Sequence, residues 1–152
     1  MPTYVCSVAA GALTGSQKSK IARAIARVHT EATGAPAYLV QVIFDEKAAS
    51  ERFLGGEPAA NHVWIRGDIR AGRTLSQRES LALNIVKGVS DITGIDAQSI
   101  WVYLCNLEPT DMVEYGHVLP RPGGEQEWFE NLPKSLQNHL ANLGAKKDES
   151  SR

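Results

Sequence analysis

Only two cysteines occur in the 152 residues, Cys6 and Cys105. They form neither a CxxC pair nor a metal-ligand cluster, which excludes a disulfide scaffold and a thiolate metal site. Both sit in apolar, strand-like runs and read as buried free thiols of a reducing compartment. No apolar run approaches the roughly 18–20 residues that span a bilayer, and Met1 to Ser7 lacks the basic start of a secretory signal. The expected location is the cytoplasm. Charge of one sign is missing too: 16 Lys and Arg face 17 Asp and Glu, a formal net charge of −1. That gives no general pull towards nucleic acid or an anionic membrane, so neither is an expected partner. His62, His117 and His139 show no metal-ligand spacing and read as structural.

What is present is an internal repeat. At an offset of 60, Thr14, Ser16, Gln17, Ala22, Ile25, Thr33, Gly34, Ala37 and Val42 fall on Thr74, Ser76, Gln77, Ala82, Ile85, Thr93, Gly94, Ala97 and Val102. Self-similarity at a fixed period marks a duplicated supersecondary unit. Each copy reads as strand, helix, strand: Tyr4–Val8 and His62–Ile65 open the copies, and Leu39–Phe44 and Ile100–Leu104 close them. Ile21, Ile25, Val28 and Ala32 give one helical stripe, and Leu81, Ile85, Val89 and Ile92 the other. Ser16 and Ser76 are candidate N-caps, the second with Glu79 as a capping box. Gly34 and Gly94 are candidate helix ends.

The fold class that follows is α+β, a duplicated βαβ unit with a four-stranded sheet and two helices on one face. Residues 1–143 are expected to form a single domain, with repeats at about 2–44 and 62–106 and a C-terminal hairpin and helix. The helix is expected near Leu132–Leu143, and 144–152 is expected to be a disordered tail. The segment 45–61, with Gly55-Gly56 and Pro58, is a connecting excursion. A sheet covered on one face needs a partner on the other, so a homo-oligomer is expected.

The copies differ where chemistry can reside. Pro2 faces His62 at the repeat offset, and only the first copy can present a chain terminus. Removal of Met1 from Met-Pro would leave a secondary amine able to act as acid or base near neutrality. Taken alone, Pro2 reads more simply as the plain start of an edge strand, where a missing N–H costs nothing. Arg70 and Arg73 lie in Gly67-Asp-Ile-Arg-Ala-Gly-Arg73, read as a loop, where Ala10 and Leu13 stand in the first copy. They can grip a carboxylate by bidentate hydrogen bonds or form a solvated basic loop. Tyr103 faces away from Val102 and Leu104 and can be a packed aromatic. Glu114 can be a surface charge, and His29 a boundary residue one position past Val28.

Taken together, these residues resemble the tautomerase superfamily with its catalytic amino-terminal proline, and within it cis-3-chloroacrylic acid dehalogenase and its close homologues. The resemblance is carried by Pro2, Arg27-Val-His29, Phe53-Leu-Gly-Gly56, Arg70-Ala-Gly-Arg73, Ile100-Trp-Val-Tyr103, Met112-Val-Glu-Tyr-Gly116, Leu119-Pro-Arg-Pro-Gly123 and Glu127-Trp-Phe129. It implies a homotrimer and a small carboxylate substrate, with no metal or organic cofactor. It implies that Pro2 is the acid or base at the substrate's C2, that Arg70 and Arg73 hold the carboxylate with His29 assisting, and that Glu114 with Tyr103 directs water to C3. The implied reaction is water addition to an unsaturated acid, turning cis-3-chloroacrylate into malonate semialdehyde and HCl. Keto–enol tautomerisation of phenylpyruvate-like 2-oxo acids and hydration of acetylenic acids are the alternatives.

Overall fold

In the computed structural model, which describes residues 2–145, the repeat is directly visible. Strand β1 (Thr3–Ala9) buries Tyr4, Cys6 and Val8 on one face. Helix α1 (Gly15–Thr33) lays Ile21, Ile25 and Val28 against that face, and the chain returns as β2 (Gln41–Lys47), parallel to β1. A short hairpin follows, β3 (Phe53–Leu54) with β4 (Glu57–Pro58). The second copy repeats the path with β5 (Val63–Arg70), α2 (Leu75–Thr93), β6 (Ile100–Leu107) and the hairpin β7 (Val113–Glu114) with β8 (His117–Val118). Two helices close the described chain, α3 (Glu125–Glu130) and α4 (Lys134–Ala145).

The sheet order is β2-β1-β5-β6, with β1 and β5 antiparallel at the centre and a parallel pair on each flank. The expected duplicated βαβ architecture is therefore the observed one. Helices α1 and α2 pack against each other over one face, and the main core lies between them and Tyr4, Cys6, Val63, Ile65 and Ile69. The opposite face leaves Ile43, Trp101 and Tyr103 exposed.

Several local expectations need correction. The N-caps are Thr14 and Thr74, not Ser16 and Ser76. Each threonine hydroxyl accepts from the amide of Gln17 or Gln77, whose side chain bonds back to the cap amide. That reciprocal Thr-x-x-Gln box satisfies two orphan donors, more than a serine two positions later can do. Arg70 ends strand β5 rather than lying in a loop, because Ile69 continues the buried alternation. Cys105 is half-buried, while Cys6 is buried and its thiol is pushed up to about 12 by desolvation. Gly34 and Gly94 do end their helices, in the left-handed conformation that glycine adopts without strain.

The repeat also reaches further than residues 44 and 106. Hairpins β3–β4 and β7–β8 stand 60 positions apart, and each turns through two residues of positive φ: Gly55 and Gly56 at 60° and 86°, Tyr115 and Gly116 at 52° and 78°. Such turns match the twist of the flanking strands. Glu114 is thus the counterpart of Leu54. Helix α3 was not expected, and the tail expected at 144–152 lies, from 146 onward, outside the described residues, as does Met1. No helix among the described residues is long and apolar enough to cross a membrane.

Candidate active site

Pro2 is fully buried at the start of the sheet, and its carbonyl accepts from the amide of Gln41 at 3.0 Å. Behind it stands Tyr4, whose phenol meets Nδ1 of His29 at 2.8 Å across the core. His29 is not the boundary residue its position suggests: it is 2% exposed. Tyr4 makes no other hydrogen bond among the described residues, so its buried hydroxyl proton has only Nδ1 to go to. Were Nδ1 the donor, that proton would be stranded at a cost of about 1–3 kcal/mol. The phenol therefore donates, and the hydrogen of the neutral imidazole sits on Nε2. The ring is neutral because burial, Arg73, the positive chain terminus and Arg70 together bring its pKa down to about 3. Gly67, paired with Tyr4 across β1 and β5, makes room for the phenol: a Cβ there would lie 2.5 Å from the ring.

Arg70 and Arg73 converge beside this pair. Arg70 Nη1 donates to the carbonyl of Pro120 at 2.6 Å, and Nη2 donates to Glu125. Arg73 Nη1 donates to the Thr33 carbonyl at 2.8 Å, satisfying an orphan acceptor at the C-terminus of α1. Both guanidiniums are nearly buried, with side chains 2% and 7% exposed. Burial and the neighbouring Arg70 hold Arg73 below its ordinary pKa, partly offset by Glu125.

Glu114 reaches the same region from the β7–β8 hairpin. Burial raises its pKa, while the positive chain terminus and Arg70 pull the other way. It opens onto a cleft of about 420 Å³ lined by Thr3, Tyr38, Leu39, Val40, Gln41, Val113 and Tyr115. The Tyr115 hydroxyl donates to the Tyr38 carbonyl at 3.0 Å and ties the hairpin to the first repeat. A carboxylate of raised pKa beside a cleft is suited to take a proton near neutrality.

Five of the six singled-out residues thus gather: Pro2, His29, Arg70, Arg73 and Glu114. Tyr103 does not join them within one chain. It is 52% exposed, packs edge-on to Trp64 and belongs to a separate hollow with Ser7, Arg52 and Trp101. The sequence reading missed Tyr4 and Glu125. A strand-starting aromatic and a first-turn acid carry no distinctive signal, and only the packing shows what they touch. Among the described residues, no group of three His, Cys, Asp or Glu is placed to hold a metal ion.

Comparison with known proteins gives the family and bears on the fold. A family model described as "Putative oxalocrotonate tautomerase enzyme" matches residues 1–131. The crystal structure of N1, a member of the cis-3-chloroacrylic acid dehalogenase family, is 40% identical with a TM-score of 0.90, over 92% of this chain and 99% of that one. Native Ps01740 is 33% identical with a TM-score of 0.71, over 74% and 99% of the two chains. Native fused 4-OT, 23% identical over 76% and 94%, has a TM-score of 0.71 and shares the fold. No curated protein matches the chain.

Proposed function

The chain belongs to the tautomerase superfamily, and within it to the cis-3-chloroacrylic acid dehalogenase family, and from that premise we propose that it adds water to the C2–C3 unsaturated bond of a small carboxylic acid. The observation that carries this reading is the meeting of two buried guanidiniums, a neutral histidine and a carboxylate of raised pKa next to the buried Pro2.

Each group has a step. Arg70, Arg73 and the Nε2–H of His29 bind the substrate carboxylate, which draws electron density away from C3. Glu114 takes a proton from water as its oxygen bonds to C3. With Met1 removed, the Pro2 ammonium gives a proton to C2. With chlorine on C3, the chlorohydrin loses chloride and a proton, so cis-3-chloroacrylate and water become malonate semialdehyde and HCl. With a triple bond instead, the same addition gives an enol that relaxes to the aldehyde.

Tyr103 enters if a second copy covers the bare sheet face. In a homotrimer, its hydroxyl would reach the site of the neighbouring chain and help orient the water. A second reading, keto–enol tautomerisation of phenylpyruvate-like acids with neutral Pro2 as base, is favoured by Tyr38 and Tyr115 on the cleft wall, which suit an aryl group.

Glu114→Gln separates the two. Turnover of cis-3-chloroacrylate and propiolate should fall about a hundredfold, within the usual range for a lost acid–base group. Phenylenolpyruvate ketonisation should stay largely intact. A wild type that only ketonises, with Met1 shown to be absent by mass spectrometry, would leave the tautomerase reading standing.

A further inference from the structure

Glu125, the first residue of α3, lies on both arginines. Its Oε1 accepts from Arg70 Nη2 and stands 3.8 Å from Arg73 Nη2, and its Oε2 accepts from the Gly123 amide at 2.8 Å. Its side chain is 16% exposed. Burial opposes its charge, but the hydrogen bonds from Arg70 and the backbone outweigh that and hold it below the usual carboxylate range. It is therefore ionised wherever the protein works.

The local charges can then be summed. Arg70 and Arg73 supply two positive charges, His29 supplies none, and Glu125 removes one. The positive chain terminus beside Glu114 offsets that carboxylate, so one positive charge is left for a ligand at the arginine pair. Resting on the reading that the arginines hold a substrate carboxylate, we propose that Glu125 is a specificity-determining residue that fits the site to monocarboxylates and rejects dicarboxylates. A second ligand carboxylate would meet the Glu125 carboxylate in a partly desolvated site, where like charges repel far more strongly than in water. Rejection of this kind is a repulsive element built against the wrong ligand.

The test is equilibrium binding by calorimetry at pH 7.5, with propionate and malonate as unreactive probes. Wild type should bind propionate about tenfold or more tightly than malonate. Glu125→Gln should shift that ratio towards malonate by about tenfold, because two buried guanidiniums then need two negative charges. Glu125→Asp, which keeps the charge, should retain the wild-type preference. Equal affinity of wild type for both probes would overturn the proposal without any variant. So would a Glu125→Gln protein that loses both probes in the same proportion, the mark of a residue that only props up Arg70. Failure of wild type to bind either probe would instead remove the carboxylate site itself, and with it the proposed function.

Discussion

A buried histidine hydrogen-bonded to a buried phenol has consequences that can be measured. The unfolded chain takes up a proton at His29 near 6.5, while the folded chain does so only near 3. The folded pKa is the depressed one, so protonation favours unfolding. The stability His29 contributes is complete above 6.5 and is lost as pH falls from there towards 3. Urea midpoints should decline across that window, with a slope shallower by about one proton in His29→Gln. A wild type and variant with parallel slopes would contradict the buried neutral ring. Tyr4→Phe tests the tautomer. With the phenol gone, Nδ1 loses its donor, and the ring nitrogens should exchange their ¹⁵N signatures or average them. Turnover of unsaturated acids should drop about tenfold, since the hydrogen on Nε2 is no longer fixed. Unchanged ¹⁵N shifts would mean that something else orients the ring.

At the scale of elements, the sheet positions the site through one close approach. Gly67 on β5 lies against the ring of Tyr4 on β1, and Tyr4 in turn holds His29 on α1. Gly67→Ala would place a Cβ 2.5 Å from that ring, inside any real contact. The ring is fully buried and cannot swing away. Overpacking of this kind costs about 1–3 kcal/mol, so the variant should melt lower and lose activity together. An equally active, equally stable Gly67→Ala protein would show that the strands can part there. Thr14→Ala acts on stability alone: loss of the cap should cost about 1 kcal/mol while kcat holds, because the Thr14 hydroxyl serves the Gln17 amide of its own helix.

For the whole molecule, the open sheet face decides whether one chain suffices. Trp101 and Tyr103 are 42% and 52% exposed there. If a second copy covers them, Trp101→Glu should yield monomers in analytical ultracentrifugation and abolish water addition. A mixing experiment tests the shared site. Arg73→Ala and Tyr103→Phe chains, each impaired alone, should regain about a quarter of intact sites when co-assembled at random in a ring. No recovery on mixing would return Tyr103 to the role of a packed surface aromatic.

The sequence by itself determined the duplicated βαβ fold. Its 60-residue offset, its two helical stripes and its Gly34 and Gly94 helix ends are all local patterns, and local patterns are written in the chain. It also singled out Pro2, Arg70 and Arg73, since these break the repeat, and a broken repeat is visible without coordinates; Glu114 lies beyond the repeat that the sequence shows, and only the family resemblance pointed to it. For the helix cap the sequence pattern points to Ser76, whereas Thr74 is the cap, because that choice rests on a hydrogen bond closing in three dimensions. The tertiary structure alone decided that His29 is buried and neutral, because that depends on the core that encloses it and on Arg70 and Arg73 of the other repeat, just as its tautomer depends on Tyr4, 25 positions away. It alone showed that Glu125 lies on Arg70, across 55 positions, and that Tyr103 stands apart from the group. Such contacts are set by how strands and helices pack across the sheet, and spacing along the chain carries no record of them.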